Sequence, residues 1–455
     1  MPETGISIGE IDRLLHERFG HDVHIDGDLV QTETGGLRLS VRGDHVTPRT
    51  FSGEAGDLDR LTTAAAEYVY GQSEPVLYAR YLNSTGRYAD CETFLEEAFT
   101  RAAEADLPDL ANLWGNNLTS VGRNADGMAK YRLAVQLKPR FWKAWSNLIG
   151  GASVVQNEEA ALRIGRQMLA AAQNAPSAER LTPLNLVNMD ALQQDWQGNF
   201  LDNIYDEKTH GTGGTQSQGV GATLADAAAR MHDWPAAARY LTQADPSDPY
   251  TKAEVAFVAG LHALDDGVPT AAAASLQALD RQWMADPNLQ YDDYDYPCYL
   301  GLAYGLSGRM ADAEAVFSRL SKKLSCLSFR ADSLDRAGDW PGAQAAYAAA
   351  VSSGPDLPLP YQRWGLALLR RGDAKAATGK FLQANQRGSH WADPLKGWGD
   401  ALSAEGRNSE AVAKYAEAAK YAPHWRALHL AWAEALDRLG RRGEAHSQYQ
   451  AAMSI

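Results

Sequence analysis

Residues 395–418 read LKGWGDALSAEGRNSEAVAKYAEA and carry the pattern of a helical hairpin. Apolar or small side chains recur at helical spacing on both sides of Gly406, at Leu395, Trp398, Gly399, Leu402, Ala411, Tyr415 and Ala418. Glycine can adopt a left-handed backbone conformation that reverses the chain tightly. The stretch therefore predicts two packed helices joined by a turn at Gly406.

The same pattern recurs with a period of 34 residues through the C-terminal third of the chain. Its marker positions are the turn glycine, a small residue five places later, an aromatic residue four places further on, and an alanine after three more. They are Gly338, Gly372, Gly406 and Gly440; Ala343, Ala377, Ala411 and Ala445; Tyr347, Phe381, Tyr415 and Tyr449; and Ala350, Ala384, Ala418 and Ala452. One such hairpin cannot bury its own apolar face, so the period predicts a stack of hairpins.

Earlier hairpins follow the same template with less regularity. With the turn glycine as position 15, the regular units begin at Leu324, Pro358, Ala392 and Arg426. Earlier units are predicted from about Pro108, Trp142, Gln218, Ala253 and Tyr294, with a poorer one around Gly86. An Asp-Trp pair recurs at Asp195, Asp233 and Asp339, and it predicts a further hairpin between Pro176 and Lys208. We expect ten or eleven hairpins in all.

The repeat resembles the tetratricopeptide repeat (TPR) of bacterial and other proteins. The shared features are a bulky residue at position 7, Gly or Ala at 8, Ala at 20, Phe or Tyr at 24, Ala at 27 and Pro at 32, over roughly residues 72–455. The resemblance implies a mainly α fold, an α-solenoid of TPR-like helical hairpins. Position 7, usually leucine in the family, is Trp364, Trp398 and Trp432. These large rings predict wider spacing or added stacking between hairpins.

The first 71 residues lack the repeat. A helix is predicted at Ile8–Phe19, alternating segments at Val23–Gln31, Leu37–Val46 and Thr50–Gly53, and a helix from Asp57 to Tyr70. The stretch GDLVQTETGGLRLSVRG, residues 27–43, resembles the small α/β N-terminal domain of the TolB family, which precedes repeats in some bacterial regulators. That family has a strand before its first helix, and its absence indicates that the chain begins partway into the domain.

Three domains are predicted: a small, incomplete α/β domain (1–71), an N-terminal TPR-like array (72–217), and a C-terminal TPR-like array (218–455). The first array ends in a glycine-rich, polar stretch at residues 209–220, predicted to be a mobile loop. The acidic, tyrosine-rich stretch NLQYDDYDYP at residues 288–297 is predicted to connect two hairpins.

Composition narrows the functional classes. The chain has 455 residues, and 45% of them are apolar, which is enough for a folded protein. Its net charge of −14 argues against non-specific binding to nucleic acid. No apolar run reaches the ~20 residues of a membrane helix. The N-terminus does not resemble a signal peptide, and the chain is predicted to be soluble and cytoplasmic.

Candidate chemical sites are weak. Cys91, Cys298 and Cys326 are odd in number and far apart, so neither a disulfide framework nor a zinc site is predicted. His16, His21, His24 and His45 lack metal-site spacing, and the GTGG stretch has no Walker lysine. Catalytic motifs are absent. We therefore predict no enzyme activity, no cofactor and no metal.

The TPR resemblance implies a partner-binding groove along positions 2, 5, 9, 12 and 13 of the first helices. The residues at these positions include Asp332, Asp335, Arg336, Gln362, Leu366, Arg370, Lys396, Asp400, Glu434, Asp437 and Arg438. Their mixed charge suits an extended peptide or a partner helix. The family's clamp for chaperone tails needs asparagine where Asp400 stands, so that ligand is not expected.

The predicted function is a non-catalytic protein-interaction scaffold that binds a peptide or partner helix in this groove. The alternative is the regulatory or targeting arm of a larger enzyme or transcriptional regulator whose catalytic or DNA-binding domain is absent from this chain. Arrays of this family often close with a capping helix, and none follows the last unit. Ala451, Met453 and Ile455 could then pair two copies as a homodimer, or His446, Gln448 and Gln450 could cap the end without a partner.

Overall fold

The computed structural model of the protein describes residues 24–44, 46–155, 157–173, 175–182, 185–210, 217–247, 249–285 and 295–455. The chain divides into two compact units, Met1–Lys138 and Pro139–Ile455. The domain boundaries expected after residues 71 and 217 stay predictions.

Three strands of the first unit form an antiparallel sheet in the order β1-β2-β3. They are β1 (Ile25–Gln31), β2 (Leu37–Gly43) and β3 (Val46–Gly53). Leu39 lies opposite Phe51, so one face of the sheet collects apolar side chains because alternate residues of a strand share a face. The three strands are confirmed, with Val46 belonging to β3 rather than to β2.

Helix α1 (Leu58–Ser73) covers the apolar face of β2 and β3. Val41 of the sheet is buried in a cluster with Ala65 and Val69 of the helix. This confirms the helix expected between residues 57 and 70. The helix predicted at residues 8–19 lies outside the described residues.

The other α-helices of the described residues come from hairpin repeats. In the first unit they are α2 (Pro75–Ser84), α3 (Tyr88–Arg101), α4 (Leu107–Ser120) and α5 (Asn124–Leu137). In the second unit they are α6 (Trp142–Val155), α7 (Glu158–Ala172), α8 (Val187–Gln193), α9 (Trp196–His210), α10 (Ser217–Arg230), α11 (Trp234–Gln243), α12 (Pro249–Asp265), α13 (Pro269–Ala285), α14 (Tyr296–Leu306), α15 (Met310–Arg319), α16 (Leu324–Arg336), α17 (Trp340–Ser353), α18 (Leu359–Arg370), α19 (Ala374–Arg387), α20 (Ala392–Ala404), α21 (Asn408–Ala418), α22 (Arg426–Arg438) and α23 (Arg442–Ser454). Neighbours pack as pairs, such as α16 with α17 and α20 with α21. The fold is an α-solenoid of TPR-like helical hairpins with a small N-terminal α/β domain, as predicted.

Left-handed glycines end the first helix of most hairpins. Gly338, Gly372, Gly406 and Gly440 have φ between 73° and 89°, which confirms the role expected from their period. Four earlier turns use Gly86, Gly122, Gly267 and Gly308 in the same way. A side chain at these positions would strain the backbone, so the 34-residue glycine rhythm follows from turn geometry.

Small residues at position 8 make room for the aromatic ring at position 24. A Cβ added to Gly399 would lie 2.5 Å from the ring of Tyr415, and one on Gly365 would lie 2.8 Å from the ring of Phe381. Phe381 also lies against Gly397 of the next hairpin, where a Cβ would be 2.6 Å away. At these positions the small residue lets the two helices approach closely, and the aromatic ring fills the gap to the next hairpin.

The hairpin expected between Pro176 and Lys208 is present as α8 and α9. Its turn uses Gln194 at φ 60°, and Asp195 then caps α9 by accepting a hydrogen bond from the backbone N–H of Gly198. The turn between α10 and α11 repeats this arrangement with His232 at φ 59°. Two hairpins thus reverse without glycine.

The glycine-rich stretch at residues 209–220 is shorter as a loop than predicted. Helix α9 extends to His210 and helix α10 begins at Ser217, while residues 211–216 lie outside the described residues. Glycine lowers helix propensity but does not forbid a helix, and this explains the difference. Most of the predicted connector at residues 288–297 also lies outside the described residues, and its last two residues open α14.

The cysteine prediction is wrong for one pair. Cys298 and Cys326 form a disulfide between α14 and α16, with their Cα atoms 4.6 Å apart. The two cysteines are 28 residues apart in sequence, but the first helices of consecutive hairpins pack side by side and bring them together. Cys91 is a buried free thiol, and burial raises its pKa to about 11.

A seam joins two distant stretches of the second unit. On one side are the turns that open α7, α9 and α11; their cap residues Asn157, Asp195 and Asp233 each accept a hydrogen bond from the helix backbone. On the other side are loops preceding α16, α18, α20 and α22. The seam residues are Glu158, Glu159, Arg166, Asp195, Gln197, His232 and Asp233, facing Leu324, Asp356, His390, Lys420, His424 and Trp425.

Candidate partner-binding surface

The predicted groove residues lie on α16, α18, α20 and α22, the first helices of the four regular hairpins. Each helix places small or apolar side chains against its own second helix, and the eleven predicted residues stand at positions 5, 9, 12 and 13. The structure separates the eleven predicted residues into a buried group, a half-buried group and an exposed group.

Asp332 is the most buried of the predicted residues, with 1% of its side chain exposed. Its carboxylate accepts hydrogen bonds from the Tyr347 hydroxyl at 2.6 Å, from Arg363 Nε at 2.5 Å and from Arg370 at 3.3 Å. Three donors satisfy a charge that would otherwise be very costly to bury. Asp332 therefore holds α16 and α18 together.

Asp335 continues this network toward the surface. It accepts a 3.0 Å hydrogen bond from Arg370 and a 3.2 Å hydrogen bond from Arg371. Burial alone would lower the pKa of the Arg370 guanidinium, but the charge of Asp332 and the hydrogen bond to Asp335 raise it overall. The two acids form one ion-pair network with Arg363, Arg370 and Arg371 between neighbouring hairpins.

Lys396 and Asp400 form a half-buried pair on α20. Lys396 Nζ lies 2.8 Å from Asp400 Oδ2, and the other carboxylate oxygen of Asp400 accepts a 2.9 Å hydrogen bond from the Tyr415 hydroxyl. Burial and then the charge of Asp400 raise the pKa of Tyr415, which stays a donor. Lys396 is thus committed to an internal partner.

The remaining predicted residues differ in exposure. Gln362 is buried and its side-chain oxygen has no hydrogen-bond partner among the described residues, while Leu366 is half-buried. Arg336, Glu434, Asp437 and Arg438 are exposed. Glu434 lies 3.7 Å from Arg438, and no ion pair is found for Arg336 in the described part of the chain. These four exposed charges lie on α16 and α22.

A pairing rule between positions 9 and 24 was missed in the sequence. In three hairpins a polar residue at position 9 is hydrogen bonded to a tyrosine at position 24: Asn116 with Tyr131, Asp332 with Tyr347, and Asp400 with Tyr415. In the last hairpin Tyr449 at position 24 donates instead to Asp437 at position 12. Where position 9 is Leu302 or Leu366, position 24 is Phe317 or Phe381. The match is visible in the sequence once the repeat register is known.

A second pairing joins positions 7 and 23. A lysine ammonium lies over the indole ring of the same hairpin in three cases: 3.0 Å for Lys130 and Trp114, 3.7 Å for Lys380 and Trp364, and 4.2 Å for Lys414 and Trp398. The Trp364 ring also stacks on Tyr347 of the preceding hairpin at 5.8 Å, as the bulky position 7 predicted. Cation–π contact explains how a large ring is accommodated there.

Comparisons with known proteins give no family. No family model matches the chain, and no curated protein sequence matches it. A crystal structure of the APC/C hetero-tetramer Cut9-Hcn1 is similar at 11% identity and TM-score 0.43, covering 88% of this chain and 91% of that chain. Yeast Tom70 is similar at 13% identity and TM-score 0.38, covering 83% and 90%. A MamA structure is similar at 17% identity and TM-score 0.29, covering 34% and 95%. With TM-scores this low, these likenesses carry no argument about this chain.

Two searches of the described residues bear on other classes of function. None of the helices found there is long and apolar enough to span a membrane. Over the same described ranges, no three His, Cys, Asp or Glu side chains are grouped so that they could hold a metal ion. Of the histidines considered in the sequence, His24 is exposed, while His16, His21 and His45 lie outside the described residues.

Proposed function

We propose that the chain is a non-catalytic scaffold that binds a protein partner along the first helices of its C-terminal hairpins. The observation that carries this proposal is the division of the predicted groove into buried charges, which are paired inside the array, and exposed charges. The buried acids are neutralised inside the array, whereas Arg336, Glu434, Asp437 and Arg438 present both signs of charge to solvent. A surface of this kind suits a peptide or helix of mixed charge.

The test reverses two exposed charges of the predicted groove. Arg336→Glu combined with Arg438→Glu changes two exposed groove residues, whereas reversing Arg370 would leave Asp332 buried with a lost partner. The matched control is Lys375→Glu combined with Arg442→Glu, the same charge change on exposed residues of second helices. Partners captured by the wild type would be identified by mass spectrometry, and the affinity of each variant for the recovered partner would then be measured.

We expect the groove variant to lose at least tenfold in affinity, about 1.4 kcal/mol, while the control keeps the wild-type value. Circular dichroism should show equal helix content in both variants. Equal binding by the groove variant and the control would move the partner to another surface.

A homodimer through α23 is a separate part of the proposal. Met453 is 74% exposed on this helix, and a self-complementary contact there would bury it together with Ala451. Light scattering over a concentration series decides this point. A monomer mass that persists at tens of micromolar contradicts the dimer and leaves the groove proposal intact.

A further inference from the structure

His232 occupies a backbone position that favours glycine. In the turn between α10 and α11 its φ is 59°, whereas the corresponding turns of eight other hairpins use glycine at φ between 72° and 89°. A bulky residue in the left-handed region is uncommon and costs conformational energy. Contacts of the His232 side chain must therefore offset this conformational cost.

The imidazole of His232 lies at the centre of the seam. Its ring stacks on Trp425 with a centroid distance of 3.8 Å and an interplanar angle of 3°. Nδ1 lies 3.2 Å from an oxygen of Asp265, and Nε2 lies 3.5 Å from an oxygen of Asp393. One ring thus contacts the loop before α22, the end of α12 and the start of α20.

These contacts leave polar atoms without hydrogen bonds. Both ring nitrogens of His232, Oδ2 of Asp393 and Nε1 of Trp425 are buried and have no hydrogen-bond partner in the described part of the chain. The two carboxylates lie within ion-pair distance, but the angles do not make hydrogen bonds. In an open state, water would form hydrogen bonds with all four atoms. Hydrogen bonding therefore does not favour the closed arrangement, which depends on the attraction between a charged imidazole and the two carboxylates.

The charged groups that face this ring come from each neighbouring element. Helix α12 contributes Asp265 and His262, and His262 stacks on Trp234 next to the ring. Helix α20 contributes Asp393 and Lys396, whose ammonium lies 5.7 Å from the far ring, that of Trp425. The two carboxylates are the closest charges, so a positive imidazole is favoured over a neutral one.

Two further histidines repeat this contact along the seam. His390 Nδ1 lies 2.6 Å from Asp195 Oδ2, and His424 Nε2 lies 3.9 Å from Asp233 Oδ2. The two histidines are one 34-residue period apart. The first contacts the cap aspartate of α9, and the second contacts the cap aspartate of α11. The seam is a repeated histidine-to-aspartate contact between two parts of the array.

We propose that the seam is a proton-operated clasp of the second unit, which closes when His232 is protonated between Asp265 and Asp393 and opens when that proton is lost. Opening would hydrate the four atoms that lack hydrogen bonds and separate the turns of α7, α9 and α11 from the loops before α16, α18, α20 and α22 as one unit. This device does not depend on the proposed partner.

The direction of the pH response follows from the charges. Burial alone would lower the pKa of His232, but Asp393 and Asp265 raise it to about 9 from the ordinary 6.5. A raised histidine pKa means that the closed state binds the proton more tightly. The stabilisation is complete below the ordinary pKa and is lost as the pH rises through about 9.

Hydrogen–deuterium exchange measures the clasp directly. The backbone N–H of Asp356 donates to Glu159 across the seam, and the N–H of Leu324 donates to Glu158. After correction for intrinsic exchange rates, the opening constant of the Asp356 amide should rise about tenfold per pH unit between roughly pH 6.5 and 9, the slope for release of one proton. A wild-type opening constant that does not change over this interval would overturn the proposal.

The variant His232→Asn separates protonation from backbone geometry, because asparagine accepts the left-handed conformation and does not titrate. Its opening constant should be high already at pH 7 and nearly independent of pH from there to pH 9. The control His446→Asn, at an exposed position of α23, should follow the wild type. A wild-type profile in His232→Asn contradicts the assignment.

Asp393→Asn provides a second variant if His232→Asn does not fold. It keeps the side-chain size and removes one of the two carboxylates that hold the imidazole proton. The pH at which the opening constant stops rising should move down by at least one unit, with unchanged helix content by circular dichroism. An unmoved midpoint in the folded variant would show that His232 is not the titrating group.

Discussion

The Tyr347 hydroxyl donates a 2.6 Å hydrogen bond to Oδ1 of Asp332, and both side chains are buried. Burial and then the charge of Asp332 raise the pKa of Tyr347, so the phenol stays protonated and remains a donor. The carboxylate of Asp332 also accepts hydrogen bonds from Arg363 and Arg370 of the next hairpin. This hydrogen bond therefore completes the solvation of a carboxylate that joins two hairpins.

Removing that donor should weaken the array. Tyr347→Phe keeps the ring but leaves Asp332 with the two arginines alone, and we expect a loss of about 1.5–3 kcal/mol in the free energy of unfolding, as for hydrogen bonds to charged groups. Urea denaturation provides the measurement. Tyr449→Phe is the matched control, since its partner Asp437 is exposed, and it should change stability by about 0.5 kcal/mol or less. Equal losses in both variants would contradict the role assigned to Asp332.

The converse change tests the pairing rule between positions 9 and 24. Phe381→Tyr introduces a hydroxyl where position 9 is Leu366, and the Phe381 ring is fully buried. An unsatisfied buried hydroxyl should cost about 1–3 kcal/mol. The double variant Phe381→Tyr with Leu366→Asp should recover part of that loss. No recovery would mean that the two positions are not coupled.

The contact between Gly399 and Tyr415 tests the repeat register. A Cβ at Gly399 would lie 2.5 Å from the tyrosine ring, so Gly399→Ala should destabilise the protein by about 1–3 kcal/mol through overpacking. Gly443→Ala is the control, because no atom lies within 4 Å of its added Cβ, and alanine should be neutral or slightly stabilising there. Thermal unfolding of the two variants gives the comparison. A neutral Gly399→Ala would mean that the helices do not approach as described.

The disulfide between Cys298 and Cys326 should appear in a peptide map made without reduction, with Cys91 recovered as a free thiol. For a closed loop with a sequence separation of 28 residues, the chain-entropy relation gives a stabilisation of about 3–4 kcal/mol. The variant with both cysteines changed to alanine should lose stability in this range. Its unfolding should no longer respond to a reducing agent, in contrast to the wild type.

The carboxyl group of Glu158 should contribute its own pH dependence. Although part of this side chain reaches solvent, its carboxyl is enclosed at the seam, and that burial raises its pKa to about 7 from 4.5. The folded state therefore favours the protonated acid, and stability should fall as the pH rises from about 4.5 to 7, by up to about 3 kcal/mol at roughly 1.4 kcal/mol per pH unit. Glu158→Gln should lack this slope. An identical slope in the variant would assign it to other groups.

The regular hairpins were predictable because turn geometry and close packing act on single positions. Glycine at 15 and a small residue at 8 are required by φ and by the nearby ring, so they mark the repeat in the sequence itself. The hairpin at residues 187–210 was recoverable only through its Asp-Trp pair, since Gln194 replaces the turn glycine. The disulfide was missed because a separation of 28 residues becomes short only when first helices stack.

The candidate groove was less predictable for a physical reason. Positions 5, 9, 12 and 13 carry charge both when they bind a partner and when they form ion pairs with a neighbouring hairpin. The sequence shows Asp332 and Arg336 as equivalent charged residues, yet one is enclosed by three donors and the other is exposed. The distinction lies in contacts such as Arg363 with Asp332, which join different hairpins across 31 residues of sequence.

The seam changes how this array should unfold. Repeat proteins in which each hairpin touches only its neighbours behave as linear chains of weakly coupled segments, which can fray from one end. Here Arg166 pairs with Asp356 and Gln197 with Lys420, contacts that span 190 and 223 residues of sequence. Closing such long loops makes folding slow and couples distant hairpins. Deleting the last hairpins should therefore also lower the stability of α9 and α11, whereas in a linear array it would only shorten the stack.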